Sequence, residues 1–134
     1  MSPHDSSSFV YTIDPAARLV TVQFLGKIGY SDIRDYAARL RIDRGFTPVF
    51  SEIVDLRRVD SVTLSAPEAM ALAESVDPFS TNAKRAFVVQ NQSQINAAHL
   101  HRILRPECSA IRVFFSIDEA RGWIAPHEAA AGAG

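Results

Sequence analysis

The sequence predicts an α/β domain with a mainly parallel five-stranded sheet, elements in the order ββαβαβαβα, and crossover helices mostly on one face. Three observations carry this. Runs rich in β-branched and aromatic residues alternate with segments whose apolar residues recur at helical spacing. The connections between them are short and marked by Pro, Gly and Asp, which favours parallel strands joined by right-handed crossovers. The 134 residues, 47% of them hydrophobic, suffice for one domain with its own core and no covalent staples.

Residues 1–8 are polar and small and read as a disordered N-terminus, 9–125 as the single domain, and 126–134 as a frayed C-terminal tail. Phe9 to Ile13 and Leu19 to Leu25 form an antiparallel hairpin across Asp14-Pro15-Ala16-Ala17-Arg18. In the second strand Val20, Val22 and Phe24 share one face, and Thr21 and Gln23 share a more open one. Gly26 to Tyr30 reads as a loop into the first helix, with Ser31 as its N-cap, Ile33, Tyr36, Ala37 and Leu40 as its apolar stripe, and Gly45 as its stop. The third strand runs to Leu56, and a loop follows to Leu64. Ser65-Ala66-Pro67-Glu68 then fits a capping box at the start of the second helix, which Asp77-Pro78 ends. Arg85 to Gln90 contains AFVV, a continuous apolar run suited to a strand covered on both faces. Ser93 is the expected cap of a third helix that Pro106 closes, Ile111 to Phe115 is the last strand, and Ser116 to Glu119 caps a short final helix.

The 14 basic and 15 acidic side chains nearly cancel, which argues against nucleic acid as a partner and against a polybasic membrane anchor. No apolar run approaches the roughly 20 residues of a membrane span. The one cysteine, Cys108, permits no intrachain disulfide, and with no leader pattern at the N-terminus the expected location is the cytoplasm.

Candidate chemistry concentrates between Phe50 and Ser65, where Asp55, Arg57, Arg58, Ser61, Thr63 and Ser65 follow an apolar strand. The carboxyl ends of strands are where open α/β sheets carry function. Asp55 accepts hydrogen bonds from loop amides, or pairs with Arg57 or Arg58, or else lines a polar pocket at the strand ends, and Arg57 and Arg58 suit an anion or a salt bridge. Ser65 is an N-cap whose hydroxyl would also tolerate a phosphate at a helix start. His99 and His101 stand two apart, which on a helix points them to different sides, so no metal site is expected. The sequence lacks GxSxG, GxGxxG and P-loop patterns, and no cofactor and no enzymatic activity are expected.

The stretches RLVTVQFLGKI, Ser31-Asp32 with Tyr36, FTPVFSEIVDLRRV and AKRAFVV resemble the SpoIIAA-like family, related to the STAS fold of anti-sigma-factor antagonists and to SEC14-type domains. The resemblance spans Phe9 to Ile124. It implies a non-enzymatic regulatory domain that works by protein–protein contact, with a strand-ending Asp-Leu followed by a phosphorylated serine at a helix start. Ser65 falls at that place, but Thr63, Leu64 and Ala66 stand where the family pattern has an acidic residue, a serine and a glycine. The expected partners are another regulatory protein or a second copy of this chain. The alternative, implied by the SEC14 relation, is a small-molecule or lipid-binding module with a pocket between sheet and helices, lined by Tyr30, Tyr36, Phe79 and Trp123.

Overall fold

The computed structural model describes residues 4–5, 8–105 and 110–125. Pro106, Cys108 and the tail 126–134 lie outside the described residues, as does most of the segment 1–8. The elements are β1 (His4–Asp5), β2 (Phe9–Asp14), β3 (Leu19–Gly29), α1 (Tyr30–Ile42), β4 (Ser51–Thr63), α2 (Ala66–Ala71) continuing into a π-helical turn (Leu72–Val76), β5 (Arg85–Val88), α3 (Gln92–Leu104), β6 (Ile111–Phe114) and α4 (Ile117–Ile124). The five expected strands are present, and the two-residue β1 adds a short edge inside the segment expected to lack order.

The strands lie in sequential order across one sheet. β1, β2 and β3 pair antiparallel, and β3 to β6 pair parallel. Sequential order makes each parallel crossover step in the same direction, so right-handedness sends the crossover helices to one face. There α1, α2 and α3 cover the larger core, built on Phe9, Tyr11, Val20, Val22, Phe24, Val54 and Phe87 from the strands. The four aromatic rings of Phe9, Tyr11, Phe24 and Tyr36 pack tilted or edge to face at centroid distances of 5.6 to 5.9 Å, geometry that the ring quadrupoles favour. On the other face α4 buries Ala120 and Ile124 against Ile53, Ala86 and Val88. Thr21 and Gln23 remain half-exposed on that face, as their alternation with Val20 and Val22 implied.

Several boundaries differ from the sequence reading. Gly26 to Gly29 and Arg57 to Thr63 are strand rather than loop, because β3 and β4 pair all the way from Leu19↔Ser51 to Gly29↔Thr63. The pairing stays in step only through two register shifts, in which β4 carries the extra residues. Such bulges hide the two-residue alternation on which the sequence reading relied. Gly26 adopts φ +73° beside the second shift, a conformation costly for residues with a Cβ. The cap of α1 is Gly29, with Asp32 Oδ2 accepting from the Gly29 amide at 2.8 Å, so Ser31 lies inside the helix. Asn91 caps α3 in place of Ser93, its Oδ1 accepting from the Gln94 amide at 3.0 Å. β3 runs to Gly29 and leads directly into α1, so Ser31 already lies within the first turn, and α3 starts at Gln92, one residue ahead of Ser93.

The second helix starts as expected. Ser65 Oγ accepts from the Glu68 amide at 3.2 Å, and Glu68 Oε1 accepts from the Ser65 amide at 2.8 Å. Replacing Ser65 with Ala removes one of these bonds, and a loss of about 1 kcal/mol in urea-unfolding free energy is expected. An unchanged value would mean the cap contributes nothing here.

Candidate functional site

Strand alternation puts Glu52, Val54 and Leu56 of β4 on the face that α1 to α3 cover, and Arg85 with Phe87 of β5 beside them. Glu52 and Arg85 are directly opposite in the parallel ladder. Both are buried, so the apolar sheet face carries a charge of each sign on neighbouring strands. Arg85 Nε donates to Glu52 Oε1 at 2.8 Å, and Arg85 Nη1 donates to Asp77 Oδ2 at 2.7 Å. Tyr36 of α1 donates its hydroxyl to Glu52 Oε2 at 2.6 Å. Arg105, just past α3, also donates to Asp77 Oδ2. The Phe79 amide closes the other carboxylate oxygen of Asp77 at 3.1 Å, and the Phe79 ring lies 4.5 Å from the Arg85 guanidinium carbon. Asp77 is the residue at which the π-helical turn ends, so the charges on β5 and behind α3 fix the end of the α2 segment.

The charges survive burial because they are paired. Burial works against ionised Asp77, but Arg85 outweighs it and holds the carboxyl below its usual range. Burial likewise opposes the charge of Arg85, and Glu52 with Asp77 raises its pKa above the ordinary arginine value. The Tyr36 hydroxyl is pushed well up by burial and then by Glu52. His101 of α3 is pushed from 6.5 down to about 3, first by burial, then by Arg85 and Arg105 against the pull of Asp77. Its Nε2 lies 3.9 Å from Asp77 Oδ2 and has no hydrogen-bond partner among the described residues.

Beside this network a cavity of about 140 Å³ opens between the sheet and helices α1, α2 and α3. Its walls are mainly apolar, including Phe24, Val54, Leu72, Ala73, Phe87 and Ala97, and Tyr36, Glu52, Asp77, Arg85 and His101 supply the polar part. Leu100 belongs to the wall and is 42% exposed, so the cavity reaches solvent along α3. The π-helical turn contributes Leu72, Ala73 and Val76. Wide turns of this kind recur at functional sites.

Tyr36 and Phe79 therefore line the cavity, and Tyr30 and Trp123 do not. Tyr30 begins α1 with the Arg34 guanidinium 5.6 Å from its ring, and Trp123 packs at 5.6 Å from Phe114 on the face that α4 covers. Asp55 and Arg57 also point away from the cavity. Asp55 Oδ1 accepts from the Arg57 amide and from Arg57 Nε, each at 3.0 Å, and Oδ2 accepts from Arg57 Nη2 at 2.9 Å and from Gln23 at 3.2 Å. Burial opposes the Asp55 charge, yet this arginine fork keeps its carboxyl below the usual range. On the far side of the chain Gln94 Nε2 donates to the carbonyls of Arg57 at 3.3 Å and Val59 at 3.1 Å. Asp55 and Gln94 thus satisfy backbone groups that the bulged strand leaves without ladder partners. Arg58, Thr63 and Ser65 are exposed and Ser61 is half-exposed. The structure does not join these six residues into one site.

Glu52, Asp77, Arg85, Arg105 and Gln94 escaped the sequence reading. For Glu52 and Arg85 a signal existed: each is a charge at a core-facing position of an apolar strand. The sequence marks Asp77 only as a helix stop and Arg105 sits at an irregular chain turn, so pattern alone has no means of bringing them together. His99 is exposed, as expected from its offset from His101, and no group of residues suited to a metal ion occurs among the described residues.

No protein-family model matches the chain, and no curated protein matches it. Among solved structures it is similar to the crystal structure of an uncharacterised DUF3478-family protein with a SpoIIAA-like fold from Shewanella loihica PV-4. The TM-score is 0.59 at 18% identity, over 93% of this chain and 99% of the other. The chain has the SpoIIAA-like fold that its residues resembled. No helix among the described residues is long and apolar enough to cross a membrane.

Replacing Arg85 with Met leaves Glu52 buried beside the Tyr36 hydroxyl alone, and a loss of about 3–5 kcal/mol in unfolding free energy is expected. Adding Glu52→Leu should recover part of it, and a single variant as stable as the parent would show that the pair is dispensable. Stability should also fall as pH drops from about 6.5 toward 3. Over that window the unfolded chain protonates its His101 and the folded chain, with Asp77, Arg85 and Arg105 around the ring, does not. Asp77 extends the fall at lower pH, because its carboxyl is held below 3.8 when folded. Urea titrations across this range should show a shallower slope above pH 4 in His101→Gln, and an identical slope would remove His101 from the account.

Proposed function

We propose that this protein is a small-molecule-binding module whose ligand occupies the cavity between the sheet and helices α1 to α3. The observation that carries this reading is the cavity itself: about 140 Å³, apolar on most sides, with a fixed network of charges at one side. Ligand sites are commonly concave and apolar, with a few placed polar groups. A buried ion network adds little net stability over apolar packing, so its presence beside a cavity favours a role in shaping the site. Glu52, Asp77 and Arg85 are committed to one another, and no serine, threonine, cysteine or lysine lines the space among the described residues, which supports a non-enzymatic reading.

A second reading is regulatory protein contact through the outer half of β4, with another protein or a second copy of the chain as partner. What favours it is the exposure of Arg58, Asp60, Thr63 and Ser65 along one stretch, where β4 has a ladder partner on the β3 side only. Such half-paired strands are ready surfaces for association.

Native mass spectrometry of the purified chain separates the two. The ligand reading expects a retained adduct, or a rise in melting temperature with small apolar probes, that Ala97→Leu abolishes by filling the wall. A dimer mass with no adduct, and no probe effect, would turn the assignment to the contact surface.

A further inference from the structure

The cavity constrains the chemistry of its occupant, an inference that rests on the ligand-binding reading above. Its volume, about 140 Å³, is close to the roughly 150 Å³ apolar cavity known to take up benzene. A compact ring fills it, and a long acyl chain does not fit without leaving through the solvent-facing side at Leu100.

Charge is the second constraint. The carboxylates of Glu52 and Asp77 face the guanidinium groups of Arg85 and Arg105, so the network balances internally. Glu52 is engaged by Tyr36 and Arg85, and Asp77 by Arg85, Arg105 and the Phe79 amide. An anionic or cationic ligand would give up its hydration and find no uncompensated charge to meet it.

The third constraint is His101. Its Nε2 is shielded from solvent, has no hydrogen-bond partner among the described residues, and faces Asp77 Oδ2 at 3.9 Å. That gap is too long for a direct bond, but one oxygen about 2.8 Å from each atom closes it at a workable angle. A hydroxyl suits the place: it accepts from Nε2–H and donates to the carboxylate. A ketone or ether oxygen accepts only, and so forgoes the added bond to Asp77 Oδ2, which already accepts from Arg85 and Arg105.

We propose that the cavity binds an uncharged, compact hydroxyl compound of about one ring, a phenol or cyclic alcohol, with its ring against Val54, Leu72 and Phe87 and its hydroxyl bridging His101 Nε2 and Asp77 Oδ2. Benzene, phenol and benzoate, titrated into the full chain near neutral pH and followed by NMR, test this. Phenol should bind roughly tenfold more tightly than benzene, the effect of about one net hydrogen bond or slightly more, and benzoate should show no saturable binding. In His101→Phe the phenol advantage should vanish while benzene still binds. His101→Gln, which keeps a donor at the same reach, should restore part of it. Equal affinity for phenol and benzene in the parent chain, or a phenol advantage unchanged in His101→Phe, would overturn the hydroxyl bridge. Benzoate binding as well as phenol would overturn the charge argument. Failure of all three probes, benzene included, would overturn the cavity reading itself.

Discussion

The pairing of Glu52 with Arg85 across adjacent parallel strands is the constraint on which the covered face of this molecule depends. Once two opposite charges are placed on an apolar sheet, every element packed over them must complete their coordination or stay away. Helix α1 answers with the Tyr36 hydroxyl, and the end of the α2 segment answers with Asp77. Arg105, beyond α3, answers Asp77 in turn. Three separate crossovers are thus tied to one point of the sheet by directional bonds rather than by packing alone. Apolar contact sets how closely helices approach a sheet but not where along it they stop, whereas a buried carboxylate with fixed donors does. The cavity lies where side chains held at that point do not fill the space between them.

The extended β4 strand is the second organising feature, and it changes the meaning of the Asp-Leu pair that carried much of the family resemblance. Asp55 is committed to the backbone and side chain of Arg57 at a bulge, and Gln94 takes the carbonyls on the far side. These residues let the strand continue past the end of β5 to Thr63. The acidic residue at this place is thereby explained as a structural requirement of a long irregular strand, with its charge neutralised by its own neighbour.

Much of the fold was legible because its signals are local and periodic. AFVV, the stripe through Tyr36 and Leu40, and the S-x-x-E boxes at Ser65 and Ser116 each report on a few neighbouring residues, and each element formed where they indicated. The bulges between Asp55 and Ser61 were not legible, since an added residue breaks the alternation that marks a strand. The site was legible in part. Tyr36 and Phe79 stand in the cavity wall, but Trp123 shares their aromatic character and belongs to the opposite face, a distinction that only the topology makes. Asp77 is the hardest case, because its partners lie 8 and 28 positions away and no spacing rule links them.

The π-helical turn from Leu72 to Val76 has a consequence for how such a site changes over time. A turn of this type is an α-helix with one residue inserted, closed here by the Asp77 amide reaching the Leu72 carbonyl at 3.0 Å. The wall carrying Leu72, Ala73 and Val76 is therefore displaced by a unit of chain length, not by the bulk of any side chain. A lineage could resize the cavity by gaining or losing one codon in this segment while Asp77 stays anchored by its arginines. Volume would then change in steps, with the polar end of the site left in place.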